Sequence, residues 1–349
     1  MNREGKSADG CFRVAIVGAS TLKGKELAEL LPNTNFPAAD VKLLDDDESL
    51  GQLESVGDEM TFVQPVRQEN FENVDFAFFC SREEFTRKYW TMARKAGCVI
   101  VDLSYALEEV AGASVRAPWI ERELNDSPAP DLEPGPVVVA HPAAVVLALL
   151  MLRVRSICDV KTAVATLFEP ASEHGRPGLD ELHEQTVNLL SFQEMPKKVF
   201  DAQIAFNLLA RYGEQSHPAL ESAERRILSH YRTLVGERVL VPSMVLLQAP
   251  IFHGHAFSLY IESDQSVALG DFTQALSGEH VTISRASDES PSNVSAAGQE
   301  EILLSVRPDS QRSNGFWIWA AADNLRVIAL SAVDCAQQLA TARPRGKLQ

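Results

Sequence analysis

Three histidines carry the first chemistry that the sequence suggests. His253 and His255 are separated by one residue, so on a strand both side chains would point to the same face. His141 begins a loop that would approach that face. Three imidazoles can form a zinc site with an open catalytic position, yet the sequence assigns no carboxylate to orient them, and pocket histidines are usually held by hydrogen bonds. A metal-dependent or hydrolytic site is therefore one hypothesis, with no metal ligand assigned.

A glycine-containing turn follows the first apolar stretch of the chain. It reads GASTLKG over residues 18–24. A turn at this place can hold the pyrophosphate of a dinucleotide against a helix N-terminus. Thr21, however, is a β-branched residue in the middle of the turn, where it crowds the phosphate path. The turn is equally consistent with a plain strand–helix connection and with a dinucleotide site formed by Gly18, Ala19, Ser20, Thr21 and Gly24.

Acidic residues follow the second predicted strand. The segment 45–48 reads DDDE, and four consecutive acids repel the 2′-phosphate of NADP. One carboxylate at such a strand end can instead accept both ribose hydroxyls of NAD. If a dinucleotide binds, we expect NAD rather than NADP, with Asp45 and Asp46 at the ribose. A solvated acidic turn explains these residues equally well, so no cofactor is assigned.

The elements around these residues follow two patterns. Apolar strands alternate with helices over the first part of the chain, which predicts a parallel sheet covered on both faces. The strands are expected at 12–17, 40–44, 74–80, 98–102 and 136–140, and the helices at 25–31 and 83–95. After about residue 155 the pattern is that of antiparallel strands with amphipathic helices. Those strands are expected at 160–168, 243–251, 256–262, 301–307 and 316–321, and the helices at 179–190, 219–234 and 324–340.

Composition limits the class of protein. A chain of 349 residues predicts two domains, and a net charge of −16 excludes a surface that follows nucleic-acid phosphates. Five cysteines at unrelated spacings indicate a reducing compartment. The most apolar run, 137–152, is too short and too interrupted to span a bilayer, and the N-terminus lacks the apolar core of a signal peptide. We expect a cytoplasmic protein with neither a nucleic-acid nor a membrane partner.

Five segments carry a family resemblance. They read VAIVGASTLKGKELAELL, AGCVIVDLSYAL, VFDAQIAFNLLARYG, QAPIFHGHAFSLYIE and WIWAAADNLR. Taken in order, they resemble the aspartate-semialdehyde dehydrogenase family, and within it the Usg-like branch, over roughly residues 11–340.

The resemblance implies an α/β fold and a homodimer. It implies a doubly wound Rossmann-type nucleotide-binding domain at 11–140 plus about 323–345, and an inserted α+β dimerisation and catalytic domain at 141–322. Residues 1–10 and 346–349 are expected to be disordered. The family's reaction is the reductive dephosphorylation of aspartyl phosphate by NADPH through a cysteine thiolate.

The resemblance also places the functional positions of the family on this chain. The nucleophilic cysteine becomes Ala144, which has no nucleophile, so the covalent mechanism cannot operate there. The arginine that holds the substrate carboxylate becomes Gln248, and an acid, Glu108, falls at the phosphate-binding arginine. His255 retains the position of the general base. The turn that reads Ser-Gly-Ala-Gly in the family is ASEH over residues 171–174, so the pocket is rebuilt.

Two further positions concern the cofactor. Asn324 is retained where the family contacts the dinucleotide, but the glycine shortly after it is lost. Cys80 ends a strand that faces the cofactor in this fold, and it is the alternative thiol that the sequence offers. A buried structural cysteine is the simpler interpretation of Cys80.

Three functions remain in competition. The first is a non-catalytic dimeric homologue with a binding or scaffolding role and an unidentified ligand. The second is an NAD-linked oxidoreductase of semialdehyde dehydrogenase type with an altered substrate and mechanism. The third is the metal-dependent or hydrolytic site at His141, His253 and His255.

Overall fold

A computed structural model describes residues 11–46, 51–57, 59–126, 134–216, 218–285 and 288–341 of the chain. Within these residues the chain forms two compact units. The first lies in Met1–Pro118, Asp126–Ala140 and Ile328–Gln349, and the second in Trp119–Asn125 and His141–Val327. The two acids predicted at 47 and 48 and the termini predicted to be disordered lie outside the described residues.

The first unit is built on a parallel seven-stranded sheet. Its strands are β1 (Phe12–Val17), β2 (Ala38–Asp45), β5 (Gln64–Pro65), β6 (Phe76–Phe79), β7 (Val99–Asp102), β8 (Ser114–Arg116) and β9 (Val137–Val139), and a separate antiparallel hairpin is formed by β3 (Leu53–Val56) and β4 (Glu59–Phe62). The order in the sheet is β5-β2-β1-β6-β7-β9-β8, with every pair parallel. Strands that are apolar throughout are buried on both faces, which confirms the predicted doubly wound sheet.

Two helices of this unit follow strands of the sheet. They are α1 (Leu22–Leu30) and α2 (Glu83–Lys95), and short 3₁₀ helices occupy Leu31–Asn33 and Gln68–Phe71. The last helix of the chain, α9 (Asn324–Ala340), adds side chains from Ile328 onward to the same hydrophobic core. The predicted bounds of α2 and α9 are confirmed.

The second unit contains a mixed six-stranded sheet. Its strands are β10 (Val160–Glu169), β11 (Ser243–Gln248), β12 (His255–Ser263), β13 (Val281–Ile283), β14 (Ile302–Pro308) and β15 (Gly315–Ala322). The order is β11-β10-β12-β15-β14-β13. The prediction of antiparallel strands is wrong for β10 with β11, which pair in parallel, and β13, which was not predicted, also pairs in parallel with β14. Because helices separate β10 from β11 along the chain, the connection returns the second strand in the same direction.

In the part of the chain that the structure describes, six helices belong largely to this second unit. They are α3 (Pro118–Glu123), α4 (Pro142–Arg155), α5 (Gly175–Leu190), α6 (Leu220–Val235), α7 (Leu269–Leu276) and α8 (Asn293–Ala296), and a 3₁₀ helix covers Ala171–His174. Helix α4 is buried along almost its whole length. Across the described ranges, no helix has the length and apolar character needed to cross a membrane.

Candidate functional site

The first turn of α4 holds the position predicted for the lost nucleophile. Ala144 is fully buried there. His141 caps the helix, and its Nδ1 accepts a hydrogen bond from the Ala143 amide at 3.2 Å. The amides of Ala144 and Val145 both donate to the His141 carbonyl, at 2.9 and 3.1 Å, while Pro142 has no N–H. The amides that a helix N-terminus normally offers to an anion are therefore already used.

Glu173 lies at the centre of a buried group of side chains. Its Oε2 is 3.8 Å from His141 Nε2, and its Oε1 is 4.0 Å from His255 Nε2. The Nδ2 of Asn324 donates to Oε1 at 2.8 Å. These four residues, Glu173, His141, His255 and Asn324, are called the Glu173 cluster below. Their side chains come from the 3₁₀ helix Ala171–His174, from the N-cap of α4 and from the first residues of β12 and α9.

Hydrogen bonds fix the tautomer of one imidazole in the Glu173 cluster. Because His141 Nδ1 accepts from the Ala143 amide, the proton of the neutral ring is on Nε2, which faces the Glu173 carboxylate. The backbone amide of His141 donates to His230 Nδ1 at 2.9 Å. His141 is thus held by the helix behind it and turned toward Glu173.

His255 is the most deeply buried imidazole of the cluster, with a side chain 1% exposed. Burial lowers its pKa, with Glu173 and Asp323 opposing the shift, so the ring is neutral at pH 7. Its Nε2 has no hydrogen-bond partner among the residues that the structure describes. A buried nitrogen without a partner is costly, which marks this atom as a point where a ligand would be stabilised.

Asn324, predicted at the dinucleotide, is engaged within the second unit. Besides its bond to Glu173, its Oδ1 accepts from the Gly254 amide at 3.1 Å and from the Ser172 hydroxyl at 3.2 Å. The amide thereby ties the start of α9 to the 3₁₀ helix and to the segment before β12. In this arrangement Asn324 positions Glu173.

A second buried group adjoins the first through the 3₁₀ helix. Tyr212 donates its hydroxyl proton to Gln248 Oε1 at 2.6 Å, and the Tyr212 hydroxyl oxygen is 2.9 Å from His174 Nε2. Gln248 Nε2 donates to the carbonyls of Glu169 and Ala249, at 3.0 and 2.8 Å. The side-chain amide of Gln248 therefore uses its oxygen and both protons within the protein.

Burial shifts the pKa values of this second group strongly. It lowers the pKa of His174 to about 4 and raises the pKa of Tyr212. Desolvation, followed by the nearby Glu173 carboxylate, raises the pKa of Glu169 well above its ordinary value. Within the described ranges Glu169 Oε2 has no hydrogen-bond partner, and Oε1 lies 3.9 Å from His174 Nε2. His174 is therefore uncharged near neutral pH, and burial disfavours the ionised form of Glu169.

Among the described residues, carboxyl groups shift the pKa values of these side chains. Glu173 shifts the pKa values of His174, Tyr212, His255 and Glu169. The other contributing charges are the carboxylates of Glu169, Glu221 and Asp323. The surroundings are thus acidic, and they disfavour an anionic ligand.

The predicted three-histidine site does not form. Strand β12 begins at His255, and Gly254 before it has a φ of +80°, so His253 and His255 do not alternate on one strand. Among the described residues, no group of three or more His, Cys, Asp or Glu side chains is placed to hold a metal ion. The prediction of a shared strand face was wrong because the chain turns at Gly254.

The glycine turn of the first unit is closed by its own side chains. Thr21 caps α1, and its hydroxyl accepts from the Gly24 amide at 3.1 Å. A Cβ at Gly24 would collide with the Gly18 carbonyl, and one at Gly18 would collide with Ser81. Close packing of the chain is therefore sufficient to require both glycines.

Asp45 enters this turn from the end of β2. Its Oδ2 accepts from the Ser20 amide at 2.7 Å, and its Oδ1 accepts from the Asp46 amide at 2.9 Å. Asp45 is buried, and Ala19 before Ser20 is also buried. The Asp45 carboxylate thus already accepts a hydrogen bond from the Ser20 amide, in the turn where a phosphate would be bound.

The alternative thiol lies in an unfavourable environment for a nucleophile. Burial raises the pKa of Cys80 far above its ordinary value, although Lys23 opposes the shift. Lys23 Nζ donates to the Leu103 carbonyl at 2.9 Å and lies 4.5 Å from the centre of the Tyr105 ring. The Cys80 thiol is therefore protonated at physiological pH. Glu108, half-buried, follows this loop.

Sequence inspection found most of these positions but not the centre of the cluster. Glu173, Glu169, His174 and Tyr212 were not predicted as site residues. The signal for two of them was the acid and the imidazole in the turn 171–174, where the related family has small residues.

Comparisons with known proteins match both parts of the chain. The semialdehyde dehydrogenase NAD-binding domain matches residues 13–128, and the semialdehyde dehydrogenase dimerisation domain matches residues 151–327. The USG-1 protein homolog of Pseudomonas aeruginosa is 33% identical and covers 92% of this chain and 96% of its own length. Aspartate-semialdehyde dehydrogenase of Rickettsia conorii is 28% identical and covers 94% of this chain and 97% of its own length.

Solved structures give the same result for the fold. A probable aspartate-semialdehyde dehydrogenase from Pseudomonas aeruginosa superposes with a TM-score of 0.84 at 31% identity, covering 94% of this chain and 98% of that one. Aspartate semialdehyde dehydrogenase II from Vibrio cholerae, complexed with ASA, has a TM-score of 0.82 at 22% identity, covering 95% of this chain and 98% of that one. At that identity the second likeness concerns the fold alone.

Proposed function

This chain belongs to the semialdehyde dehydrogenase family, and on that premise we propose that it is a dimeric homologue that has lost the family's thiolate reaction and acts as a binding protein. The observation that carries the proposal is the first turn of α4. Ala144 supplies no nucleophile, and the amides of the turn are bonded to His141. An oxyanion formed there would meet no available donor from this turn.

The contacts of Gln248 give independent support. An arginine at this position would hold a ligand carboxylate with two charged hydrogen bonds. The Gln248 amide carries no charge, and its oxygen and both protons are bonded to Tyr212, Glu169 and Ala249. A substrate carboxylate would have to break these bonds and then lie among carboxylates. An amino-acid semialdehyde or acyl phosphate is therefore a poor ligand for this site.

The turn of the first unit supports the loss of the cofactor. The Ser20 amide is bonded to the Asp45 carboxylate, so a pyrophosphate would have to displace an anion and then lie beside it. The NAD-linked alternative with Cys80 as its nucleophile needs a thiolate, and burial keeps the Cys80 thiol protonated. The groups present therefore favour neither dinucleotide binding nor attack by a thiolate.

Exposed apolar side chains support a dimer. Val164 on β10 and Val245 on β11 are 43% and 40% exposed. The parallel register places Val245 opposite Thr166, two residues after Val164, so both valines are on one face of the sheet. A second copy of this chain, covering that face, is the partner that the match to a dimerisation domain favours.

The Ala144→Cys variant tests the loss of thiolate chemistry. We expect no NADP-linked or NAD-linked oxidation of aspartate semialdehyde in the presence of phosphate, because a restored thiol still lacks a carboxylate-binding arginine and free amide donors. The Vibrio cholerae enzyme serves as the positive control in the same assay. Turnover by Ala144→Cys above that of a no-protein blank would show that Gln248 and Glu108 are compatible with the family reaction.

A further inference from the structure

A short segment, residues 206–209, lies beside the edge strand of the sheet in the second unit. The amide of Leu209 donates to the Gln248 carbonyl at 3.0 Å, and the Gln248 amide donates to the Leu209 carbonyl at 2.9 Å. The two residues form an antiparallel bridge, and Gln248 is the last residue of β11, which is the edge strand of this sheet. Residues 206–209, called the edge segment below, therefore extend the sheet past β11.

The edge segment continues the exposed apolar face of the sheet. Directly opposed residues of two strands point to the same face, and successive residues of one strand point to opposite faces. Leu209 is opposite Gln248, so Leu208 lies on the other face, which is the face of Val245. Leu208 is 56% exposed. Together with Val164 on β10, these side chains place three exposed apolar groups on adjacent segments of one face.

Phe206 is held outward at the start of the edge segment. It is 67% exposed, and its φ of +57° is uncommon for a bulky residue and persists only where the surrounding structure holds it. The amide of Ala205 donates to Gln185 Oε1 at 3.2 Å, and Leu209 is bonded to β11 on the other side. Aromatic side chains are enriched at protein interfaces, so an outward Phe206 between two anchored residues indicates a contact.

The backbone at the outer edge of β11 is engaged within the chain. The Leu246 amide donates to Glu224 Oε2 of α6 at 2.8 Å, and the Gln248 amide donates to Leu209. These amides are two residues apart, so both point away from β10. A partner strand would have to break these hydrogen bonds to pair with this edge. A partner is therefore expected to pack on the apolar face instead.

We propose that the edge segment is a second contact region of the dimer, in which Phe206 and Leu208 pack against a second copy of this chain. The second copy is the occupant because the edge segment continues the face of Val164 and Val245 and lies within residues 151–327, which match the dimerisation domain. This inference rests on the dimer of the proposed function and adds contacts that the two valines do not make.

The combined Phe206→Ser and Leu208→Ser variant tests the proposal. We expect its dimer dissociation constant, measured by sedimentation equilibrium, to rise at least about tenfold, because a two-fold dimer loses each apolar contact twice. Leu53→Ser combined with Phe62→Ser is the matched control, since these residues are 51% and 60% exposed on the hairpin of the first unit. The control should keep the dissociation constant of the unsubstituted chain.

The outcomes separate this inference from the dimer itself. An unsubstituted chain that is a monomer at every concentration would overturn both. A dimer that is unchanged by Phe206→Ser with Leu208→Ser, or equally weakened by the control, would overturn the inference alone and leave the edge segment to a different partner.

Hydrogen exchange on the unsubstituted chain gives a second measurement that needs no variant. The amides of the edge segment should exchange more slowly at concentrations above the dissociation constant than below it. Equal exchange on both sides of the dissociation constant would also overturn the inference.

Discussion

At the scale of single residues, buried imidazoles and acids set how the protein responds to pH. His174 has a pKa lowered to about 4, whereas in the unfolded chain it takes up a proton near pH 6.5. Between these values the unfolded state binds more protons, so acidification destabilises the fold. The full effect of this group is about 3 kcal/mol, reached as pH falls through 4.

The His174→Gln variant isolates that contribution. Glutamine can donate to the Tyr212 oxygen but does not titrate, so we expect the variant to lose less stability than the unsubstituted chain between pH 6.5 and 4. Urea unfolding across this range measures the difference, with His183→Gln on the exposed side of α5 as the control. Glu169 has the opposite sign, because its raised pKa stabilises the fold at low pH, and it is present in both chains. If the stability of His174→Gln and that of the unsubstituted chain changed equally with pH, the lowered pKa of His174 would be contradicted.

The residue scale is also where prediction from sequence reached its limit. Ala144, Gln248 and His255 could be named in advance because each stands within a recognisable segment. Glu173 could not be named as the centre of a cluster, since its partners His141, His255 and Asn324 are distant in the chain. Only the folded structure brings them together.

At the scale of elements, the turn between β1 and α1 determines whether a dinucleotide can bind. Asp45 at the end of β2 holds the Ser20 amide and the Asp46 amide. We expect neither NAD nor NADP to raise the melting temperature, because both would bring phosphate to this carboxylate. A rise with NAD alone would support a ribose role for Asp45 and contradict this account of the turn.

The Asp45→Ala variant tests the structural role of the same carboxylate. Loss of its two hydrogen bonds to backbone amides should lower the free energy of unfolding by about 1.5–3 kcal/mol. Asp40→Ala, an exposed position on β2, should stay within about 0.5 kcal/mol of the unsubstituted chain. Denaturant unfolding of both variants gives the comparison, and equal stabilities would show that Asp45 does not hold the turn.

Periodic elements were predictable and short or exposed ones were not. Helices α2 and α9 were expected at 83–95 and 324–340 and lie there, because each has a clear apolar face. The hairpin of β3 and β4 and the strand β13 were missed, since short segments of this kind lack a period long enough to detect. The direction of β11 was wrong because strand direction depends on the connection and not on the strand's own residues.

At the scale of the whole molecule, the exposed sheet face of the second unit predicts self-association. We expect Val164→Lys combined with Val245→Lys to convert a dimer to monomers, because two charges would be buried without partners. Val294→Lys, at a position 78% exposed on α8, is the control and should leave the dimer intact. Sedimentation velocity distinguishes these outcomes. A dimer that persists in the double variant would place the interface on another surface.

The central claim is that a semialdehyde dehydrogenase fold is retained here without the family's reaction. Its most direct test is a steady-state assay of the unsubstituted full chain with aspartate semialdehyde, phosphate and either NADP or NAD, beside the Vibrio cholerae enzyme. We predict reduction of neither dinucleotide above a no-protein blank, because Ala144 offers no thiolate, Gln248 no charge and the Ser20–Asp45 turn no free site for phosphate. Protein-dependent reduction that saturates with aspartate semialdehyde would contradict the claim.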